Sequence, residues 1–269
     1  MNKTVLTSFT ILCLLSTMLI AGLAFGIQTA NTSETIYIRA DGSIDPPTAP
    51  ISSFDSVIYT LTGNITSDYN GIMVYRDSIV IDGAGYTLQG KGARGRGISF
   101  FDLGHGRNNI TIKNMEIKGF AYGIDLFFSS YANIYGNNIT NNNCGISIRE
   151  SSDYNIISEN TITNNTYAGV CIWSSSNNTV SENYVTNCRY GIELYWATNN
   201  NILGNNVSKN TVGIEICSFS SSNNIFGNKI TANDPSGISL YVSGKNNIIY
   251  MNNLTNNYNG IYLSSSSTI

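Results

Sequence analysis

The chain has 269 residues with 14 Lys+Arg against 17 Asp+Glu, a net charge of -3, and only 12% charged residues where soluble domains average about 25%. The few cations are scattered, so no basic face is available to neutralise phosphates and a nucleic-acid partner is excluded. Neutral polar residues replace the missing charge, above all 38 Asn, 34 of them from Asn108 onward, which means either a disordered Asn-rich tract or a repeat in which Asn has a fixed structural task.

Residues 1–30 read as an export segment. A short basic start precedes an uncharged run from Val5 to Ile27, and Ala24-Phe25-Gly26 supplies small residues at cleavage spacing. The run is either a cleaved signal or a retained membrane anchor, and no other membrane contact is expected. Export implies an extracellular or cell-surface location and makes the sequons at Asn31, Asn64, Asn109, Asn138, Asn164, Asn177, Asn206 and Asn253 candidate glycosylation sites. Residues 31–70 form an N-terminal cap, with strand candidates Ile36-Tyr37-Ile38 and Val57-Ile58-Tyr59 around a loop holding Pro46, Pro47 and Pro50.

Residues 71–269 are a repeat. Gly followed by Ile or Val recurs at Gly71, Gly97, Gly123, Gly145, Gly169, Gly191, Gly213, Gly237 and Gly260, at intervals of 22 to 26 residues. A second series, Asn137, Asn160, Asn183, Asn205, Asn228 and Asn252, keeps the same time, each followed two residues later by Ile, Val or Leu and then by Thr or Ser. Within a period the apolar residues alternate, as in Gly-Ile-Glu-Leu from Gly191, the signature of a strand with one buried face. One such period cannot bury its apolar side alone, so successive periods must stack. The expected fold is all-β: a right-handed single-stranded parallel β-helix with an N-terminal capping segment, an axis filled by Ile and a ladder of Asn side chains bonded from coil to coil. The chain stops straight after a coil without a polar cap, which leaves an open strand edge.

The segments IYIRADGSIDPPTAPI, GIMVYRDSIVIDGAGYTLQG and NNIFGNKITANDPSGISL resemble secreted right-handed β-helix proteins of the NosD type, within the pectin-lyase-like superfamily. The resemblance implies the fold. It chooses no single function, because the superfamily includes polysaccharide lyases, glycoside hydrolases, epimerases, carbohydrate-binding surface proteins and a periplasmic factor linked to copper-site maturation.

Several motifs read as structure. Gly104-His105-Gly106 looks like the Gly-His-Gly of polygalacturonases, but no Asn-Thr-Asp or Asp-Asp accompanies it, so a turn is expected. Ile81-Asp82-Gly83-Ala84-Gly85 also reads as a turn. Cys144, Cys171, Cys188 and Cys217 stand at different offsets from their own Gly, so neither disulfides nor a thiolate metal site is expected, and no metal or other cofactor is assigned.

Two outward columns carry the functional expectation. If Gly+1 and Gly+3 point inward, Gly+2 presents Asp125, Ser147, Cys171, Glu193 and Glu215 to solvent while Gly+4 presents Phe127, Arg149, Trp173 and Tyr195. Aromatic rings beside carboxylates form a platform for a glycan, with Trp173, Tyr195, Phe127, Asp125 and Glu193 as ligand-binding residues. The chain is thus read as an exported, non-catalytic protein whose partner is a polysaccharide or cell-envelope glycan. The alternative is a polysaccharide-active enzyme, a glycoside hydrolase or lyase-like protein, whose acids would be Glu193 and Glu215, one above the other on adjacent coils.

Overall fold

The computed structural model describes residues 34–100, 105–242 and 244–264; the export segment, Asn31, Phe101 and Gly104 lie outside these. The described residues form a right-handed parallel β-helix, with sheets of eleven, ten and nine strands running its length. One coil shows the pattern. Asn133–Tyr135 lies in the second sheet, Asn138–Thr140 in the third, and the six-residue Cys144–Arg149 in the first, after which five or six residues return the chain to the second sheet one coil further on.

Stacking holds identical residues in register, as the alternating pattern requires. Ile112 pairs with Ile134 and Ile134 with Ile157, and all three are fully buried in the single apolar core that runs along the axis. Losing one such Ile to Ala removes about 2–5 kcal/mol. The recurrent Gly is needed for close approach between coils: a Cβ on Gly123 would sit 2.6 Å from the carbonyl oxygen of Gly145, and one on Gly145 would sit 2.6 Å from that of Gly169.

Asn fills three corners rather than one. The ladder Asn137, Asn160, Asn183, Asn205, Asn228, Asn252 is present, with the Asn137 backbone N–H and Nδ2 each donating to Asn160 Oδ1 at 3.0 Å. A second ladder joins Asn142 to Asn165 and Asn210 through Asn233 to Asn257, with Cys188 standing in the gap and its N–H donating to Asn210 Oδ1 at 2.9 Å. A third joins Asn155, Asn178, Asn200, Asn223 and Asn247. A buried amide that donates and accepts along the stack satisfies corner backbone groups that have no ladder partner of their own. Each coil then enters its long strand through a left-handed residue, Asn141, Asn164 and Asn187 among them, a conformation Asn tolerates.

At the N-terminal end Ile36–Ile38 pairs in parallel with Ile72–Val74, and Ile44–Asp45 folds back on it antiparallel. Ile51–Ser52 pairs antiparallel with Ile58–Leu61, which itself pairs in parallel with Val80–Asp82. Parallel pairing therefore starts ahead of Gly71. At the far end Ile261 and Leu263 are exposed although their neighbours Ile238 and Leu240 are fully buried, since no further coil of the described residues covers them.

Candidate functional site

The site lies on the outer face of the first sheet. The register confirms the two columns: Asp125, Ser147, Cys171, Glu193, Glu215 and Ser239 follow one another on adjacent strands, and so do Phe127, Arg149, Trp173, Tyr195, Cys217 and Tyr241. A third column, Tyr122, Cys144, Ala168, Tyr190, Val212, Ser236, borders them on the other side.

The expectation that the Gly+2 column faces solvent needs correction. Asp125, Ser147 and Cys171 are fully buried and Glu193 is 4% exposed, because large side chains of the two bordering columns close over them. The consequence differs along the column.

At the lower end Asp125 is held by two arginines. Arg96 Nε lies 2.5 Å from Oδ2, and Arg149 makes a forked contact, with Nη2 at 2.8 Å from Oδ2 and Nε at 3.0 Å from Oδ1. The Arg149 guanidinium also lies 4.7 Å from the Tyr122 ring centre and 5.1 Å from that of Phe127. Asp125 is therefore enclosed and paired, and Phe127 is half-buried as one wall of that enclosure.

At the upper end the carboxylates meet neutral donors. Glu193 Oε1 accepts from Tyr167 Oη at 2.7 Å, and Oε2 accepts from Trp173 Nε1 at 2.7 Å. Tyr167, two residues before Gly169, reaches across small Ala168 to do this and had no column of its own by which to be noticed. Its ring packs edge-on against Trp173 and Tyr190, with centres 6.0 and 5.5 Å away, so the three rings form an arch over the buried acid. Burial raises the Glu193 carboxyl, partly offset by these two hydrogen bonds.

Glu215 sits directly beside Glu193 in the register. Burial is the main cause that pushes its carboxyl up to about 7; the neighbouring Glu193 charge adds to it, and Ser239 and Arg189 oppose it. Its Oε2 is buried without a hydrogen-bond partner. Arg189, two residues before Gly191 and missed by column reasoning, is exposed and stacks at 5.1 Å over Tyr190.

Two grooves open on this face. One of about 330 Å³ is lined by Glu150, Tyr167, Trp173, Ser174 and Tyr195. Its neighbour, of about 220 Å³, is lined by Tyr190, Val212, Glu215, Pro235, Ser236, Ser239, Asn259 and Tyr262. Tyr195 is 41% exposed, its ring 6.5 Å from that of Trp173, so of the expected platform Trp173, Tyr195 and Glu193 come together while Asp125 and Phe127 belong to the arginine-bound end.

The remaining motifs lie apart. His105 is exposed, and a Cβ at Gly106 would lie 1.8 Å from the Phe128 carbonyl oxygen, which demands the Gly. Asp82 Oδ1 accepts the Ala84 N–H at 2.9 Å in a turn whose Ala84 and Gly85 have positive φ.

The family model described as periplasmic copper-binding protein (NosD) matches residues 63–269. The chain belongs to the NosD family. Among solved structures, the A-module of the mannuronan C-5 epimerase AlgE4 of Azotobacter vinelandii is 15% identical, with a TM-score of 0.53 over 78% of this chain and 77% of that one. Tailspike protein 2 from an Escherichia coli O157:H7 bacteriophage is 17% identical at TM-score 0.53, over 78% of this chain and 36% of that one. The DFA-IIIase of Arthrobacter chlorophenolicus, solved with GF2, is 15% identical at TM-score 0.50, over 70% and 51%. At these identities the likeness is one of fold. No curated protein matches the chain.

Copper, which the family's description names, does not fit the described residues of this NosD-family chain. They contain no cluster of three or more His, Cys, Asp and Glu that could hold a metal ion. The four cysteines are buried and free, and burial pushes the thiols of Cys188 and Cys217 up to about 11 and about 12, away from the thiolate a metal needs. Cys144 and Cys171 do share one buried cluster although they occupy unlike columns, because side chains reach diagonally between coils. Met73 and Met115 are buried and Met251 is exposed on the last coil.

Proposed function

We propose that this NosD-family protein is an exported, non-catalytic β-helix that binds a glycan along the outer face of its first sheet, over Tyr167, Trp173 and Tyr195. One observation carries the reading. The Tyr167 hydroxyl and the Trp173 indole N–H are both tied to the buried Glu193, so two of the three rings that line the larger groove are fixed before any ligand arrives. Preorganised rings lose little freedom on binding and offer flat apolar faces to sugar rings. Glu193 acts here as a positioning residue. That carbohydrate-related proteins share the fold is compatible with this reading.

A second reading, a glycoside hydrolase, is favoured by the Glu193–Glu215 pairing and by the proton that Glu215 retains near neutrality. A retaining pair needs carboxyl groups about 5–5.5 Å apart and a free nucleophile. Against it, both Glu193 oxygens are already engaged by Tyr167 and Trp173.

The test is a glycan-array measurement on the full chain, with reducing-end release followed on the same panel. Binding without release, weakened about tenfold by Tyr195→Ala, is the expected result, since an exposed aromatic anchor is commonly worth 1 kcal/mol or more, of the order of that factor. Release abolished by Glu215→Gln would establish the hydrolase, and a chain that binds no glycan would refute both readings.

A further inference from the structure

Resting on the glycan-binding reading, we infer that the ligand of this face is a glycan carrying free amino groups, its ammonium groups seated against Glu150 and Glu215. The observation is the charge of the two grooves. The larger groove has Glu150 as its charged lining residue and the smaller has Glu215, and among the described residues no Lys, Arg or His lines either. A polyuronate would bring carboxylates to carboxylates, an arrangement that costs affinity at short range.

The hydrogen-bond inventory agrees. The donors of the arch are turned inward, Tyr167 Oη and Trp173 Nε1 both serving Glu193, and the donors left in the two grooves are uncharged hydroxyls and the Asn259 amide, with no cation to meet an anionic sugar. The unmet acceptor is Glu215 Oε2, buried and without a partner. A buried carboxylate oxygen without a donor is an unfavourable arrangement, and an ammonium group supplies charge and N–H donors together. Its approach would also draw off the proton that burial keeps on Glu215. Beside the carboxylates the rings of Trp173 and Tyr195 add ring faces to which a cation is attracted. Arg189, exposed over Tyr190, is the one described cation whose charge acts on both Glu193 and Glu215, and it stands at the edge of the site.

Three oligosaccharide probes of matched length decide the matter in calorimetric titrations of the full chain: a β-1,4-glucosamine oligomer, its fully N-acetylated counterpart and an oligogalacturonate. The glucosamine oligomer is expected to bind at least tenfold more tightly than the acetylated one, with the oligogalacturonate weakest. Glu150→Gln and Glu215→Gln should each shrink the ratio between the first two by several-fold, and the double variant should bring them together. Equal or tighter binding of the acetylated oligomer or the oligogalacturonate overturns this inference and leaves the glycan-binding reading standing. A preference for the glucosamine oligomer that survives in the double variant overturns it too, as general attraction to an acidic chain. Absence of binding by all three, together with an empty glycan array, would remove both.

Discussion

Asp125 and Glu215 occupy the same column, four coils apart, yet they are opposite kinds of carboxylate. Asp125 is saturated by Arg96 and Arg149, a closed ion-pair cluster with no capacity left for a ligand. Glu215 has burial without a salt-bridge partner, a retained proton and an unbonded oxygen. The backbone gives both the same place on the sheet. The bordering columns decide the rest, by offering guanidinium groups at one end and rings and small residues at the other.

The contrast makes unequal predictions for stability. Asp125→Ala leaves two partly buried arginines facing each other and should cost about 3–5 kcal/mol in chemical denaturation. A loss under 1 kcal/mol would mean that the cluster is an ornament of the surface. Glu215→Gln should act in the other direction. Because the folded chain holds the Glu215 proton up to about pH 7 while the unfolded chain releases it near 4.5, the contribution of this group to stability is most favourable below 4.5 and is lost as pH rises through 7. Removing the group should therefore stabilise the protein at pH 8, by an upper limit of about 3 kcal/mol, and flatten the profile between pH 4.5 and 7. An unchanged profile would contradict the burial of that carboxyl.

Trp173→Phe keeps a ring but takes one donor from buried Glu193, whose other partner Tyr167 remains, so a loss of about 2 kcal/mol is expected from urea titration. Tyr195→Ala, exposed and next to the same groove, should change stability by no more than about 0.5 kcal/mol while it lowers glycan affinity. Equal destabilisation by the two substitutions would make both rings structural.

Much of this was legible in the sequence. The Gly and Asn periods fixed the fold and the first ladder, and counting from Gly placed Glu193 beside Glu215 and Trp173 beside Tyr195. Column counting fails where side chains reach between unlike positions. Tyr167 to Glu193, Arg96 and Arg149 to Asp125, and Cys144 to Cys171 all run diagonally, and their reach depends on small residues such as Ala168 leaving room. Two further Asn ladders also escaped notice. The series broken by Cys188 lacks the unbroken identity that made the first one visible, although Cys188 keeps the backbone bond of the position.

The most direct test of the central claim, that the upper end of this column holds an unsaturated, proton-retaining carboxylate while the lower end is closed, is a 13C carboxyl NMR titration of the full chain, with Glu215→Gln used for assignment. The Glu215 resonance is predicted to titrate with a midpoint near 7. A midpoint near the ordinary glutamate value of 4.5 would contradict the account.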